Sequence, residues 1–230
     1  MPALLRLLNR RLARACLLCG TQPGAPVVCT ECGADFLSPA RPRCACCAAR
    51  LPEPAPACGR CLREAPHFDA TFTLADYAPP MDGVIVALKF GHRLELAAAL
   101  GALLAQWARA ALDLDDALIA PVPLAFERQA ERGFNQALEI ARVAARDLGL
   151  PLATGALTRV KHAPPQEALG LAERRRNVRG AFAASDAVAG RRVIVVDDVM
   201  TSGATLDEIA RVLKAAGAAR VTNLVVARTP

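Results

Sequence analysis

Residues 193–206, which read VIVVDDVMTSGATL, join an apolar run to two adjacent carboxylates and a loop of small hydroxyl residues. A continuous apolar run rich in β-branched residues is typical of a strand that is buried on both faces of a parallel sheet. The periodicity of residues 206–216 predicts a helix, and Gly217 stands where a helix commonly ends. We therefore expect Asp197 and Asp198 at the carboxyl end of a strand, directly before a loop and a helix.

Strand and helix patterns alternate through the rest of the chain beyond residue 70. Strands are expected at residues 71–77, 117–124, 150–154, 191–199 and 220–227. Helices are expected at 135–148, with Asn135 as the N-terminal cap and Gly149 as the C-terminal cap, at 206–216, and as one or two segments within 81–112. This order predicts an α/β fold with a doubly wound parallel sheet, whose ligand would bind at the carboxyl ends of the strands.

Length and composition limit the class of protein. At 230 residues, the chain is long enough for one good core and a small additional module. Its 53% hydrophobic content argues against disorder, and no apolar stretch approaches the roughly 20 residues of a membrane-spanning helix. The N-terminal segment mixes arginines with leucines and lacks the apolar core of a secretory signal, so we expect a cytoplasmic protein. This segment fits a short amphipathic helix that docks on the protein itself or, less commonly, on a membrane surface.

All nine cysteines lie before residue 62, and eight of them form four Cys-x-x-Cys pairs. The pairs are Cys16/Cys19, Cys29/Cys32, Cys44/Cys47 and Cys58/Cys61. Two such pairs can close one tetrahedral zinc–thiolate site, so four pairs predict a double zinc ribbon with one or two structural Zn²⁺ ions. We place this small domain at residues 1–66 and the α/β domain at residues 67–230. Which pairs share a metal ion stays open, as does the role of the ninth cysteine, Cys46.

Two other uses of the cysteines are weaker interpretations. Disulfides would require an exported protein, and a redox centre would not need four pairs in a segment rich in proline and glycine. Zinc sites also change the charge. The formal net charge is +6, but two four-thiolate zinc centres would lower it to about +2. The basic composition is therefore weak support for a nucleic-acid partner.

The loop after the acid pair has the chemistry of a phosphate site. Backbone N–H groups converge where a loop enters a helix, and hydroxyl side chains add further donors. Carboxylates repel phosphate, so Asp197 and Asp198 should bind vicinal hydroxyls of the same ligand, with a divalent cation nearby. A phosphate and a diol together indicate a phosphorylated ribose. The alternative is an ordinary strand–turn–helix in which threonine and serine only cap the helix.

The quoted stretch resembles the phosphoribosyl pyrophosphate (PRPP) motif of the type I phosphoribosyltransferases: an apolar strand, two acids, then T-[ST]-G-x-T. The resemblance implies that Asp197 and Asp198 hold the 2′- and 3′-hydroxyls of the ribose and that Mg²⁺ accompanies PRPP. It also implies a loop that holds the 5′-phosphate, formed here by Thr201, Ser202, Gly203, Ala204 and Thr205. The expected fold is that family's parallel sheet flanked by helices.

Basic residues elsewhere are candidates for the pyrophosphate group. Arg128 and Arg132 lie in ERQAERGFN, which resembles the pyrophosphate loop of that family, although an exposed basic turn is also compatible. Lys89 and Arg93, in ALKFGHR, are further candidates. The segment 161–182 stands where the family carries a mobile hood. This segment contains four arginines: Arg174, Arg175, Arg176 and Arg179. They could equally bind pyrophosphate, form a solvated helix face or bind single-stranded nucleic acid. No histidine is expected to act as a catalytic base.

The order of motifs along nearly the whole chain resembles the ComF family. The cysteine pairs are followed by ALKFGHR, PVP, ERGFNQAL, PPQ, ERRRNVRGAF and VDDVMTSGAT. The family is associated with natural competence, the uptake of single-stranded DNA by bacteria. The resemblance implies transfer of phosphoribose from PRPP to an unknown acceptor, with release of pyrophosphate. A nucleobase-salvage enzyme is less favoured because no base-recognition segment follows the last strand.

Two other functions stay open. A competence protein that binds single-stranded DNA would bind PRPP without turnover, and its zinc ribbons would dock a partner such as a DNA-uptake helicase. Such binding should weaken steeply with salt. A purely metal-scaffolded adaptor would leave the PRPP motif unexplained. The oligomeric state is not indicated by the sequence.

Overall fold

The computed structural model describes residues 15–21, 27–37, 42–161 and 178–230. Its helices are α1 (Thr30–Phe36), α2 (Gly59–Arg63), α3 (Met81–Phe90), α4 (Glu95–Ala111), α5 (Phe126–Arg132), α6 (Gln136–Leu148) and α7 (Ala204–Ala215). Its strands are β1 (Ala70–Asp76), β2 (Ala117–Pro121), β3 (Leu157–Arg159), β4 (Phe182–Ala184), β5 (Arg192–Met200) and β6 (Arg220–Arg228). A 3₁₀ turn at Asp186–Val188 precedes β5.

Four strands form one parallel sheet in the order β1-β6-β5-β2, and β3 and β4 form a separate antiparallel pair. The parallel sheet flanked by helices confirms the fold class expected from the sequence. The prediction of a strand at residues 150–154 is wrong. Only Leu152 bridges in parallel to Ile119 of β2, because a turn beginning at Thr154 ends the pairing after that single bridge.

Helix boundaries follow the expected caps. The side chain of Asn135 accepts the backbone N–H groups of Ala137 and Leu138 and so begins α6. Gly149 ends that helix in the left-handed conformation, with φ of 71°. The apolar segment after residue 80 forms two helices, α3 and α4, rather than one. In the part of the chain that the structure describes, no helix combines the length and the apolarity needed to cross a membrane.

Each face of the sheet buries its own core, because alternate side chains of a strand point to opposite faces. One face packs against α4 and α6 through Ile194, Val196, Leu224 and Val226. The other face packs against α7 through Val193, Val195, Val221 and Val225. The carboxyl ends of β5 and β6 therefore emerge between two helical layers, where a ligand of such a sheet would bind.

The cysteine module, by which we mean the described residues up to 66, covers the outer edge of β1. Leu37 forms an antiparallel bridge with Ala75, and the N–H of Thr71 donates to the carbonyl of Ala45 over 3.4 Å. An edge strand presents unpaired backbone groups that need such cover. The boundary at residue 66 stays a prediction, and the amphipathic N-terminal helix lies outside the described residues.

Candidate functional site

The acid pair lies at the carboxyl end of β5, as expected. Asp198 is buried, with 4% of its surface exposed. Its Oδ2 atom lies 2.9 Å from Nζ of Lys89, which α3 contributes from the neighbouring layer. A buried carboxylate is costly unless a positive charge compensates it. Lys89 therefore stabilises a negative charge at the position where the ligand hydroxyls are expected.

Asp197 has a different environment although it directly precedes Asp198. It is half-buried, and its Oδ1 atom accepts the backbone N–H of Asp198 over 2.8 Å. Burial, followed by the negative charge of Asp198, raises the pKa of the Asp197 carboxyl to about 8. Asp197 therefore keeps a proton near neutral pH until a ligand supplies compensating donors or positive charge.

The loop after the acid pair turns sharply into α7. Gly203 has φ of +82°, a conformation that other residues rarely adopt, and a Cβ atom there would lie 2.5 Å from Cε of Met200. Ser202 Oγ accepts the N–H of Ala204 over 3.3 Å at the start of the helix. The loop therefore stands at the N-terminus of a 12-residue helix, where N–H groups and the helix dipole favour an anion.

Two arginines hold the carbonyl side of this loop. Arg60 donates from Nη1 to the carbonyl of Ser202 over 2.7 Å. Arg228, at the end of β6, donates from Nη1 to the carbonyls of Met200 and Thr201. Sequence reasoning missed both residues. Arg60 lies between two cysteines and Arg228 at a strand end, and neither position signals a contact with a loop so distant in sequence.

The stretch expected to form a pyrophosphate loop is instead the helix α5, which carries both Arg128 and Arg132. The guanidinium carbon of Arg132 is 5.0 Å from the ring centre of Phe90. Burial lowers the pKa of Arg132, and the negative charge of Asp198 opposes this shift, so the two groups interact electrostatically. Arg128 carries a positive charge that acts on Arg132. The structure thus brings Arg132 and Lys89 into electrostatic contact with Asp198.

The other basic candidates are Arg93 and the arginines of the expected hood. Arg93 forms an exposed ion pair with Glu95, with 2.7 Å between Nε and Oε1. Arg174, Arg175 and Arg176 lie outside the described residues. The expected hood lies between β3 and β4, and the structure describes its two ends, residue 161 and residues 178–182. There Lys161 Nζ donates to the carbonyl of Arg179 over 3.1 Å.

The eight paired cysteines form two separate clusters. The first cluster contains Cys16, Cys19, Cys29 and Cys32, and the second contains Cys44, Cys47, Cys58 and Cys61. In each cluster the sulfur atoms all lie within 4.8 Å of one another. The structure thereby answers which pairs come together: the first with the second and the third with the fourth. Cys46 belongs to neither cluster.

The donor set of both clusters fits structural zinc. Sulfur atoms bound to one tetrahedral zinc ion at about 2.3 Å lie roughly 3.8 Å apart, and the Sγ atoms of Cys47 and Cys58 are 3.7 Å apart. Backbone N–H groups also donate to sulfur: that of Cys29 to Cys16 over 3.3 Å and that of Cys58 to Cys44 over 3.2 Å. These bonds favour thiolates, the form in which cysteine binds metal.

The pKa values of the thiols within a cluster diverge. Burial opposes ionisation of Cys16, but N–H groups of Cys19 and Cys29 outweigh it and lower the pKa of Cys16 to about 6. Burial and the neighbouring thiols raise the pKa of Cys32. Four adjacent thiols therefore do not all ionise by themselves, whereas a divalent cation removes the repulsion and replaces the protons.

Comparisons with known proteins agree with this description. Residues 135–230 match the family model of the phosphoribosyl transferase domain. The chain is 40% identical over 177 residues to DNA utilization protein YhgH of Escherichia coli O157:H7, covering 75% of this chain and 78% of that protein. It is 35% identical over 184 residues to competence protein F of Haemophilus influenzae, covering 76% and 80% of the two chains.

Among solved structures, the allosteric regulatory enzyme of purine biosynthesis aligns with a TM-score of 0.40 and 24% identity, covering 56% of this chain and 26% of that one. A TM-score this low supports no further conclusion. The identity to the two relatives over most of both chains shows the family, and the two cysteine clusters and the phosphoribosyl transferase domain agree with it. The chain belongs to the ComF family.

Proposed function

We propose that this protein binds PRPP with Mg²⁺ at the carboxyl ends of its parallel strands. We further propose that it transfers the phosphoribosyl group to an acceptor in bacterial DNA utilization or competence. One observation carries the proposal. A buried acid with its own lysine, Asp198 with Lys89, directly precedes a glycine-containing anion loop at a helix N-terminus. That combination fits a ligand with a diol beside a phosphate.

Each group has a defined part in binding. Asp197 and Asp198 accept hydrogen bonds from the 2′- and 3′-hydroxyls of the ribose, and the 201–205 loop donates to the 5′-phosphate. Lys89, which is ion-paired with Asp198, and Arg132, whose charge interacts with that of Asp198, supply positive charge for the pyrophosphate, and Arg128 adds to it. Mg²⁺, when bound, offsets the negative charge of the pyrophosphate.

The reaction breaks the bond between C1 of the ribose and pyrophosphate and forms a bond from C1 to the acceptor. Its transition state carries positive charge on the sugar and negative charge on the leaving group. Cations fixed beside the pyrophosphate stabilise that negative charge more in the transition state than in the ground state. Arg175 and Arg176 of the expected hood belong to this proposal, as does a cytoplasmic location, where PRPP would be available.

The test is calorimetric titration of Mg·PRPP into zinc-loaded protein. We expect micromolar binding by the wild type and a loss of about 10- to 100-fold in Asp198→Asn, since hydrogen bonds to charged groups contribute about 1.5–3 kcal/mol. Asp115→Asn is the matched control, because Asp115 is exposed and lies before the amino end of β2, whereas the proposed site lies at the carboxyl ends of the strands. Equal affinity of Asp198→Asn and the wild type, with zinc content unchanged, would contradict the proposed site.

A second candidate, binding of single-stranded DNA, is favoured by exposed aromatic residues beside the arginines. Phe90 and Phe126 are 65% and 71% exposed, and Arg132 stacks on Phe90. Aromatic faces and guanidinium groups together suit unpaired bases. The relatives are named for DNA utilization and competence, and a DNA-uptake helicase would be the partner of the cysteine module.

We expect Phe90→Ala to weaken binding of a labelled oligonucleotide about fivefold to a hundredfold, since stacking contributes about 1–3 kcal/mol per base. The affinity should also fall steeply between 50 and 200 mM salt, on the order of tenfold or more. Phe36→Ala, in the cysteine module, controls for loss of an exposed phenylalanine, because Phe36 is 41% exposed. Binding that is insensitive to salt and to Phe90→Ala would remove this candidate.

A further inference from the structure

We propose that the second cysteine cluster holds the 200–203 segment in its ligand-binding conformation, with Arg60 and Arg228 as the positioning residues. Metal at that cluster and ligand at the loop would then be coupled. The identity of the coupled ligand rests on the proposed function, but the contacts between the cluster and the loop do not.

Arg60 connects the second cluster to the loop directly. It lies in the short helix α2 between two metal-ligating candidates, Cys58 at the N-cap and Cys61 within the helix. Its guanidinium donates to the carbonyl of Ser202 over 2.7 Å, across 142 residues of sequence. A shift of this cysteine pair would therefore move the hydrogen-bond donor that holds Ser202.

Arg228 makes a second connection from the other side. It is only 6% exposed and donates from Nε to the carbonyl of Cys47 over 3.1 Å. From Nη1 it donates to the carbonyls of Met200, Thr201 and Thr229. One buried side chain thus joins a backbone carbonyl of the cluster to the residues that lead into the phosphate loop.

These bonds determine which side of the loop faces a ligand. A peptide carbonyl and the N–H of the next residue point in roughly opposite directions, so anchoring carbonyls of residues 200–202 on the side of the cluster directs N–H groups away from it. The N–H groups are the donors that an anion at a helix N-terminus requires. The cluster therefore supports the loop from behind without needing to touch the ligand.

Further contacts lie around the first turn of α7. The chain that leaves the second cluster is bound there six residues later, since the N–H of His67 donates to Oδ1 of Asp207 over 2.7 Å. Cys44, Cys47 and Cys61 share one buried core with Met200 and Leu206. Loop, helix and cluster are consequently packed as one unit rather than linked by the two arginines alone.

The first cluster provides an internal comparison. Cys16, Cys29 and Cys32 belong to the core on the opposite face of the sheet, with Leu74 and Met81. Among the described residues, no hydrogen bond joins this cluster to the loop. The coupling is therefore assigned to the second cluster and not to the cysteine module as a whole.

Hydrogen–deuterium exchange of zinc-loaded protein, followed in peptides that cover residues 200–206, tests the proposal. We expect Arg60→Ala to speed exchange in this segment about tenfold and to weaken Mg·PRPP binding about tenfold, with two zinc ions retained. Arg63→Ala is the matched control, because Arg63 is an exposed arginine of the same helix. It should leave both quantities unchanged.

The outcomes separate this inference from the proposed function. Faster exchange in Arg60→Ala but no PRPP binding by the wild type would support the coupling and refute PRPP as the ligand. Normal PRPP binding with wild-type exchange and affinity in Arg60→Ala would overturn the coupling alone. If Arg60→Ala loses zinc, Arg60→Met replaces it, since methionine keeps an apolar stem and lacks the guanidinium.

Discussion

Cys47→Ser is expected to lower the zinc content of the purified protein from two ions per chain to one, while Cys46→Ser leaves it at two. The two residues are adjacent, yet only Cys47 belongs to a four-sulfur cluster. Three remaining thiolates hold zinc less tightly, and the metal-free cluster leaves buried thiols that repel one another once ionised. Zinc content measured by elemental analysis on protein of known concentration checks this prediction directly.

The same substitution should also destabilise the fold strongly. Structural zinc binding supplies about 10–16 kcal/mol in small zinc domains, and losing even about 4 kcal/mol lowers Tm by roughly 8–16 °C in a chain of this size. We expect this loss for Cys47→Ser and a change of less than about 2 °C for Cys46→Ser. Equal zinc content and equal Tm in the two variants, or a disulfide between paired cysteines in native protein, would refute the zinc-ribbon assignment.

Asp197→Asn is expected to stabilise the ligand-free protein at alkaline pH. The ordinary pKa of an aspartate is 3.8, and the folded protein raises that of Asp197 to about 8, chiefly through burial and then through Asp198. Between about pH 4 and pH 8, the carboxyl of Asp197 is therefore protonated in the folded state and ionised in the unfolded chain. Stability falls as the pH rises through that window, because the unfolded state binds fewer protons there.

Asparagine is neutral at every pH and therefore removes this loss. Since one unit of pKa shift corresponds to about 1.4 kcal/mol, we expect Asp197→Asn to be more stable than the wild type by on the order of 2–4 kcal/mol at pH 9. The gain should shrink towards pH 6. Urea unfolding of zinc-loaded protein from pH 6 to pH 9 measures it, with exposed Asp115→Asn as the control. A gain that does not depend on pH would disprove the raised pKa.

If Asp197→Asn stabilises the ligand-free protein, then Asp197 lowers stability in the absence of a ligand. Ionised Asp197 is unfavourable in the ligand-free fold, since burial and then the negative charge of Asp198 raise its pKa. Residues that lower stability in this way are common where a ligand later compensates them. The pair therefore fits a site that binds hydroxyl groups in the presence of a cation.

The sequence by itself determined the local chemistry of this protein. The apolar run before Asp197 predicted β5 because burial on both faces leaves no polar alternation. The spacing of the cysteine pairs predicted zinc knuckles, and Asn135 and Gly149 marked the ends of α6 through caps that act within a few residues. In each case the interacting residues are neighbours along the chain, so their spacing is sufficient to reveal them.

Only the tertiary structure decided which distant groups meet. The four cysteine knuckles pair into two clusters that are buried with opposite faces of the sheet, whereas spacing alone allows other pairings. Arg60 and Arg228 reach the loop across 142 and 27 residues, and Lys89 reaches Asp198 from another layer. Such contacts arise from the packing of helices and strands whose periodicity shows that they are buried but not against which partner. The site is therefore local in its ligand-binding groups and tertiary in the cations that compensate and position them.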